Sequence, residues 1–171
     1  MSTEKTTESS NLVSIICRTI GRAELAQALE SMANQSYSPI ETIVVNSAKI
    51  DLSCFNIDEK EITVVEPTKI LSRAEAANSG LDAASGNYLM FLDDDDWIAI
   101  DHVTNLVSAL ESNSNIQAAY SSAQKTNFEG KALDHIFNTD FNPYLLMRDN
   151  YIPIHTMLFR KALIDKGCRF D

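Results

Sequence analysis

Residues 88–97 read YLMFLDDDDW, an apolar run that ends in Asp93, Asp94, Asp95 and Asp96 and then a tryptophan. Adjacent like charges repel, so four carboxylates in a row require something positive nearby. Carboxylate oxygens suit hard divalent cations, and Mg²⁺ or Mn²⁺ bound this way keeps room for a substrate phosphate. The chemistry open to the stretch is therefore metal-assisted binding of a diphosphate. The plain alternative is an acidic surface loop with one aspartate capping the next helix. In an extended stretch alternate residues point the same way, so either Asp93 and Asp95 converge or Asp94 and Asp96 do.

Basic side chains would form the other half of a diphosphate site. Arg18 and Arg22 flank the end of the first apolar run, and Lys69 and Arg73 precede or open a helical pattern. Cations are disfavoured at helix starts by the helix dipole, so Arg73 is there either for a ligand or for a carboxylate such as Glu75 or Glu66. Other chemistries lack their residues. Gly21, Gly80, Gly86, Gly130 and Gly167 are isolated, so there is neither a dinucleotide fingerprint nor a P-loop. A calcium loop counted from Asp93 would place Ile98 and Thr104 where glycine and glutamate are needed. No G-x-S-x-G elbow is present, and His135 and His155 are too far apart to form a local zinc pair.

The carboxylates need elements to position them. Leu12–Cys17, Ile40–Asn46, Glu61–Glu66, Tyr88–Leu92, Ile116–Ser121 and Pro153–Arg160 are short, β-rich runs that read as strands. Arg22–Gln35, Ser72–Ser85 and Asp101–Asn113 carry apolar residues at three-to-four spacing and read as helices. Gly86 suits a left-handed cap after the second helix. Phe128–Lys131 reads as a turn between two strands. Strands alternating with helices predict a three-layer α/β/α sandwich with a mostly parallel central sheet. Open sheets of this kind bind ligands outside the carboxyl ends of their strands, where Asp93–Asp96 would stand.

The chain has 171 residues, 44% of them hydrophobic, enough for one sizeable core. Lys and Arg number 14 against 24 Asp and Glu, a net charge of −10 that fits nucleic acid poorly. Residues 1–11 are polar, lack an apolar signal core and read as a flexible tail. No apolar run is long enough to cross a membrane. Cys17, Cys54 and Cys168 are widely spaced, which suits a reducing, cytoplasmic setting, with Cys17 packed in the core. A protein containing this chain can still meet a membrane surface through parts outside it.

Three stretches together resemble the family 2 glycosyltransferases, inverting enzymes of the GT-A fold: VSIICRTIGRAELAQALESMANQSYSPIETIVVN, SRAEAANSGLDAASGNYLMFLDDDDW and HTMLFRKALIDKGCRFD. The resemblance covers roughly Leu12 to Asp171, and the middle stretch is the most specific. It implies a nucleotide-diphospho-sugar donor, UDP-linked in many members, a Mn²⁺ or Mg²⁺ ion, and a carbohydrate or lipid-linked saccharide acceptor of the kind used in polysaccharide biosynthesis. It assigns Asp95 and Asp93 to the metal, and Arg18, Asn46, Arg73, Asn78, Asp93 and Asp94 to the nucleotide sugar. Trp97 and His155 would border the sugar or acceptor pocket. It divides the chain into a nucleotide-sugar-binding part, residues 12–122, and the start of an acceptor-side region, residues 123–171.

Two features depart from the family pattern. The second strand ends Val44-Val45-Asn46 where the family has an aspartate that reads the base. The family's general base belongs to an E-D pair that follows a phrase like Gly167–Asp171, so it is expected beyond Asp171. On that expectation the chain is the donor-binding portion, inactive or nearly so by itself, and able to dimerise through an apolar patch beside Ile152–Phe159. The competing readings are a non-catalytic half-domain that binds a nucleotide or a partner, and a nucleotidyltransferase on a related scaffold. The second would want a glycine-rich basic loop after the first strand, and RTIGRAE has one glycine.

Overall fold

The structure, a computed structural model, describes residues 11–171 apart from 56, 59 and 128. The expected tail therefore lies almost wholly outside the described residues, as does Phe128 of the expected turn. The elements are β1 (Val13–Thr19), α1 (Leu25–Ala33), β2 (Ile40–Asn46), β3 (Ile62–Val65), α2 (Arg73–Ala83), β4 (Tyr88–Asp93), α3 (His102–Glu111) and β5 (Ala118–Tyr120). A hairpin of β6 (Ala123–Thr126) and β7 (Ala132–Phe137) follows, then α4 (Pro143–Arg148), β8 (Met157–Arg160) and α5 (Ala162–Asp165).

Six strands form one sheet in the order β3-β2-β1-β4-β8-β5. The first four are parallel, and β8 runs antiparallel to both β4 and β5. The three-layer architecture expected from the alternating pattern is what forms. Each strand's pleat sorts its apolar residues between two cores. Val13, Ile15 and Cys17 of β1 and Met90 and Leu92 of β4 pack with α1 and α3. Ile16 of β1 and Leu89 and Phe91 of β4 pack with Ala76, Ala77 and Leu81 of α2. Gly80 lets α2 lie directly on the sheet, since a Cβ there would come within 2.3 Å of the Ile16 Cγ2.

Several expectations change. Arg22 lies in the turn before α1, where its carbonyl accepts from Leu25 N–H at 3.2 Å, so α1 starts later than the periodicity suggests. Gly86 is absent from the left-handed residues, which among those described are Gly21, Gly130, Gly167 and Lys49. It is needed for space instead: a Cβ would sit 2.6 Å from Ser14 Oγ and 2.7 Å from the Leu12 carbonyl. The segment 153–160 is half a strand, with a 3₁₀ turn at Ile154–Thr156 ahead of β8. β8 sits inside the main sheet, so the stretches 12–122 and 123–171 share it. Of the patch expected beside Ile152–Phe159, Leu158 and Phe159 are core residues packed on opposite faces of the sheet, while Ile152, Ile154 and Met157 are partly buried. Large exposed apolar side chains gather on β7 and around α4, among them Ile136, Phe141, Tyr144 and Met147, and others stand singly at Ile20, Ile70, Ile100 and Phe170.

Candidate active site

Chain order places β2 on one side of β1 and β4 on the other. The carboxyl ends of β1 and β4 thus flank a topological switch point, where open α/β sheets bind their ligands. Arg18 and Asp93 are in register there. A cleft of about 190 Å³ opens at this place, lined by Arg18, Arg22, Ser47, Ser72, Arg73 and Asp93, among others.

The pleat sorts the first two aspartates. Asp93 follows Leu89 and Phe91 onto the α2 side of the sheet. There the Arg18 Nε–H donates to its Oδ1 at 3.1 Å, and an Arg18 Nη2–H donates to the same oxygen. Arg18 is 8% exposed along its side chain, and its guanidinium lies over the Phe91 ring, 5.4 Å from the centroid. The Arg73 Nη2 stands 3.7 Å from the other oxygen of Asp93. Asp94 follows Leu92 onto the α1 side, beside Thr19. Its Oδ2 accepts from Thr19 Oγ1 at 2.7 Å and Ile20 N–H at 2.9 Å, and Arg22 donates to its Oδ1. Burial would raise its pKa, but the bonds from Thr19, Ile20 and Arg22 outweigh it and hold the carboxyl below the usual range.

The chain then turns, with Asp96 N–H donating to the Asp93 carbonyl at 3.1 Å. Simple alternation therefore stops at Asp94, and neither expected pairing follows from an extended stretch. Asp95 points outward, 48% exposed, with Arg22 Nη1 at 3.4 Å. Asp96 Oδ2 is 2.9 Å from His155 Nδ1, and the His155 carbonyl lies 3.2 Å from His102 Nε2. Trp97 leans toward the β6–β7 hairpin, its Cζ2 3.9 Å from where a Gly130 Cβ would be. Trp97 and His155 are not among the residues that line the cleft with the arginines.

Two expected residues do not reach the cleft. Asn46 is in register with Thr19 and turns to the α1 side. Its amide donates to the Ile50 carbonyl at 2.8 Å and to Glu66, and accepts from Ile50 N–H at 3.0 Å. Asn78 donates to the Phe170 carbonyl at 2.8 Å and accepts from its N–H at 3.0 Å, tying α2 to the segment after α5. Glu75 is no partner for Arg73. It completes a capping box with Ser72, and its pKa falls to about 2 through Lys69 and the Ser72 N–H. Sequence reasoning gave Arg22 little weight and passed over Thr19. The signal that finds them is their place at the end of β1, opposite Asp94.

Among the described residues, no group of three or more His, Cys, Asp or Glu side chains could hold a metal by itself. The donors nonetheless fit Mg²⁺ or Mn²⁺, which are commonly held by one or two carboxylates with phosphates and waters completing the shell. Asp95 is the most open of the four carboxylates, and Asp93, two residues before it, lines the cleft.

Comparison with known proteins identifies the family and the fold. The family model described as Glycosyl transferase family 2 matches residues 14–167. An uncharacterized glycosyltransferase of Haemophilus influenzae is 32% identical over 147 residues, 82% of this chain and 58% of the relative. Among solved structures, the mannosyltransferase PcManGT from Pyrobaculum calidifontis, in complex with GDP-Man and Mn²⁺, superposes with a TM-score of 0.67 at 21% identity. It is matched over 93% of this chain and 47% of its own. TarS of S. aureus in complex with UDP-GlcNAc gives 0.68 at 16% identity, over 92% of this chain and 47% of that one. The chain therefore spans little more than half the length of the curated relative and less than half of each solved structure.

Proposed function

Because the chain belongs to glycosyl transferase family 2, we propose that it binds a nucleotide-diphospho-sugar, UDP-linked by preference, in the cleft between β1, β4 and the start of α2. The observation that carries this reading is the gathering of Arg18, Arg22 and Arg73 in one cleft with Asp93 and Asp94 at the switch point. Three guanidiniums in one cleft suit the paired phosphates of a donor, since guanidinium matches phosphate oxygens with two donors at once.

The reaction is transfer of the sugar to an acceptor hydroxyl with inversion. The acceptor oxygen forms the new bond to the anomeric carbon from the face opposite the diphosphate. The bond from that carbon to the diphosphate oxygen breaks, and the nucleoside diphosphate leaves with the electron pair. Arg73, and Arg18 beneath it, stabilise the charge that gathers on the leaving group. A Mn²⁺ or Mg²⁺ ion held by Asp95 and Asp93 would supply further charge neutralisation at the diphosphate. The hydroxyl proton passes to a general base that we place, by the family's motif order, after the Gly167–Asp171 phrase. The acceptor, a carbohydrate or lipid-linked saccharide, approaches over Trp97 and His155. Among the described residues no helix is long and apolar enough to cross a membrane.

Calorimetric titration with UDP and GDP in the presence of Mn²⁺ tests the reading. UDP binds, and Arg73→Ala weakens it by about 1.5–3 kcal/mol, the range of a charged hydrogen bond. Melting changes little, because the Arg73 side chain is 82% exposed. Absence of binding by either nucleotide, or a steep loss of stability with unchanged UDP affinity, contradicts the proposal.

A further inference from the structure

The arginines in the cleft fall into two kinds. Arg18 is buried and bonded to Asp93 at hydrogen-bond distance. Arg22 and Arg73 are 43% and 82% exposed, and they stand 3.4 Å from Asp95 and 3.7 Å from Asp93. Both separations exceed the 2.7–3.2 Å of an N–H···O bond, so these are loose ion pairs in contact with water. Arg22 has a second hold, since Nη1 also donates to the buried Asp94. That contact keeps its guanidinium at the cleft while leaving its contact with Asp95 weak.

We propose that Arg22 and Arg73 are exchangeable counterions. Without donor they neutralise Asp95 and Asp93. When a nucleoside diphosphate and a divalent cation arrive, both carboxylates turn to the cation and both guanidiniums turn to phosphate oxygens. This assigns Arg22 to the donor diphosphate and makes the two ligands mutually dependent. It rests on the donor reading above.

Charge at the cleft supports the exchange. Arg18, Arg22 and Arg73 balance Asp93, Asp94 and Asp95, while Asp96 is engaged with His155. A divalent cation alone enters against three guanidiniums. A diphosphate alone enters against three carboxylates. The two together bring nearly cancelling charge, and each releases the residues that the other needs. By linkage the coupling must be equal in both directions.

The test uses the whole chain, with MnCl₂ and UDP as probes. Mn²⁺ is titrated alone by electron paramagnetic resonance of the free ion. UDP is titrated by calorimetry with EDTA and again with saturating Mn²⁺. The wild type should bind each probe weakly alone and at least about tenfold more tightly together, a coupling within the usual range. Arg22→Gln and Arg73→Gln should each raise the affinity for Mn²⁺ alone by about two- to fivefold, the worth of a loose surface pair. Both should lower the affinity for UDP. Because Arg22 also touches Asp94, the exposed Arg73→Gln decides if Arg22→Gln fails to fold. Unchanged or weaker Mn²⁺ binding in the folded variants overturns the exchange, as does independent binding of the two probes by the wild type. Failure to bind UDP even with Mn²⁺ sinks the donor reading itself.

Discussion

The two ends of the central sheet both gather carboxylates, and they treat them differently. At the amino end Glu41, in register with Ser14, accepts from Ser14 Oγ, Ser85 N–H at 2.6 Å, Ser85 Oγ at 2.7 Å and Gly86 N–H at 3.0 Å. Those donors are neutral and short-ranged, and they join β1, β2 and the loop after α2. At the carboxyl end Asp94 is likewise filled by fixed donors, two of them neutral, Thr19 and Ile20, and one the charged Arg22. Asp95, one residue on, has only a distant guanidinium. A carboxylate whose oxygens are filled by fixed donors holds the fold, because removing it strands those donors. One left half-exposed, with a guanidinium 3.4 Å away that is held elsewhere, contributes little to the fold and keeps its oxygens open to solvent.

Substitution should separate the two classes. The largest effect is expected at Asp94. Asp94→Asn turns an amide toward Ile20 N–H and Arg22 in a site that is 1% exposed, costing about 2–4 kcal/mol in urea unfolding. Glu41→Gln should cost about 1–3 kcal/mol and should change the pH dependence of unfolding. Burial pushes the Glu41 pKa up, but Ser14, Ser85 and Gly86 more than reverse this and hold it below the ordinary value of a glutamate. Its stabilisation is thus full above that value and is lost as pH falls through the lowered folded pKa. The variant should lose stability less steeply on acidification than the wild type. Equal acid sensitivity would mean that Glu41 is not the titrating staple. The smallest effect on folding is expected at Asp95, where Ala should stay within about 0.5 kcal/mol of the wild type.

Much of this was readable in the chain. The four parallel strands and three main helices follow from β-branched runs alternating with amphipathic segments, and their order puts Asp93–Asp96 at the carboxyl edge of the sheet. Arg73 stood out in the sequence because a cation at a helix start lacks a dipole rationale, and its side chain lines the cleft 3.7 Å from Asp93. Distant partners were not. Asn78 meets the backbone of Phe170, and β8 inserts between β4 and β5, contacts that no local pattern announces. The turn after Asp93 was hidden too, since four identical residues carry no periodicity. Asn46 misled for a related reason: its type suits base reading, but the pleat turns it away from the cleft and Ile50 and Glu66 occupy its amide.

The central claim is that the open carboxylates at this edge bring a divalent ion to a nucleotide diphosphate. Calorimetry of UDP binding with Mn²⁺ and with EDTA, in the wild type and in Asp95→Ala, tests it most directly. The account predicts that Mn²⁺ strengthens UDP binding by at least about tenfold in the wild type, and that Asp95→Ala, still folded, removes this dependence. Equal UDP affinity with Mn²⁺ and with EDTA in the folded wild-type protein would contradict it.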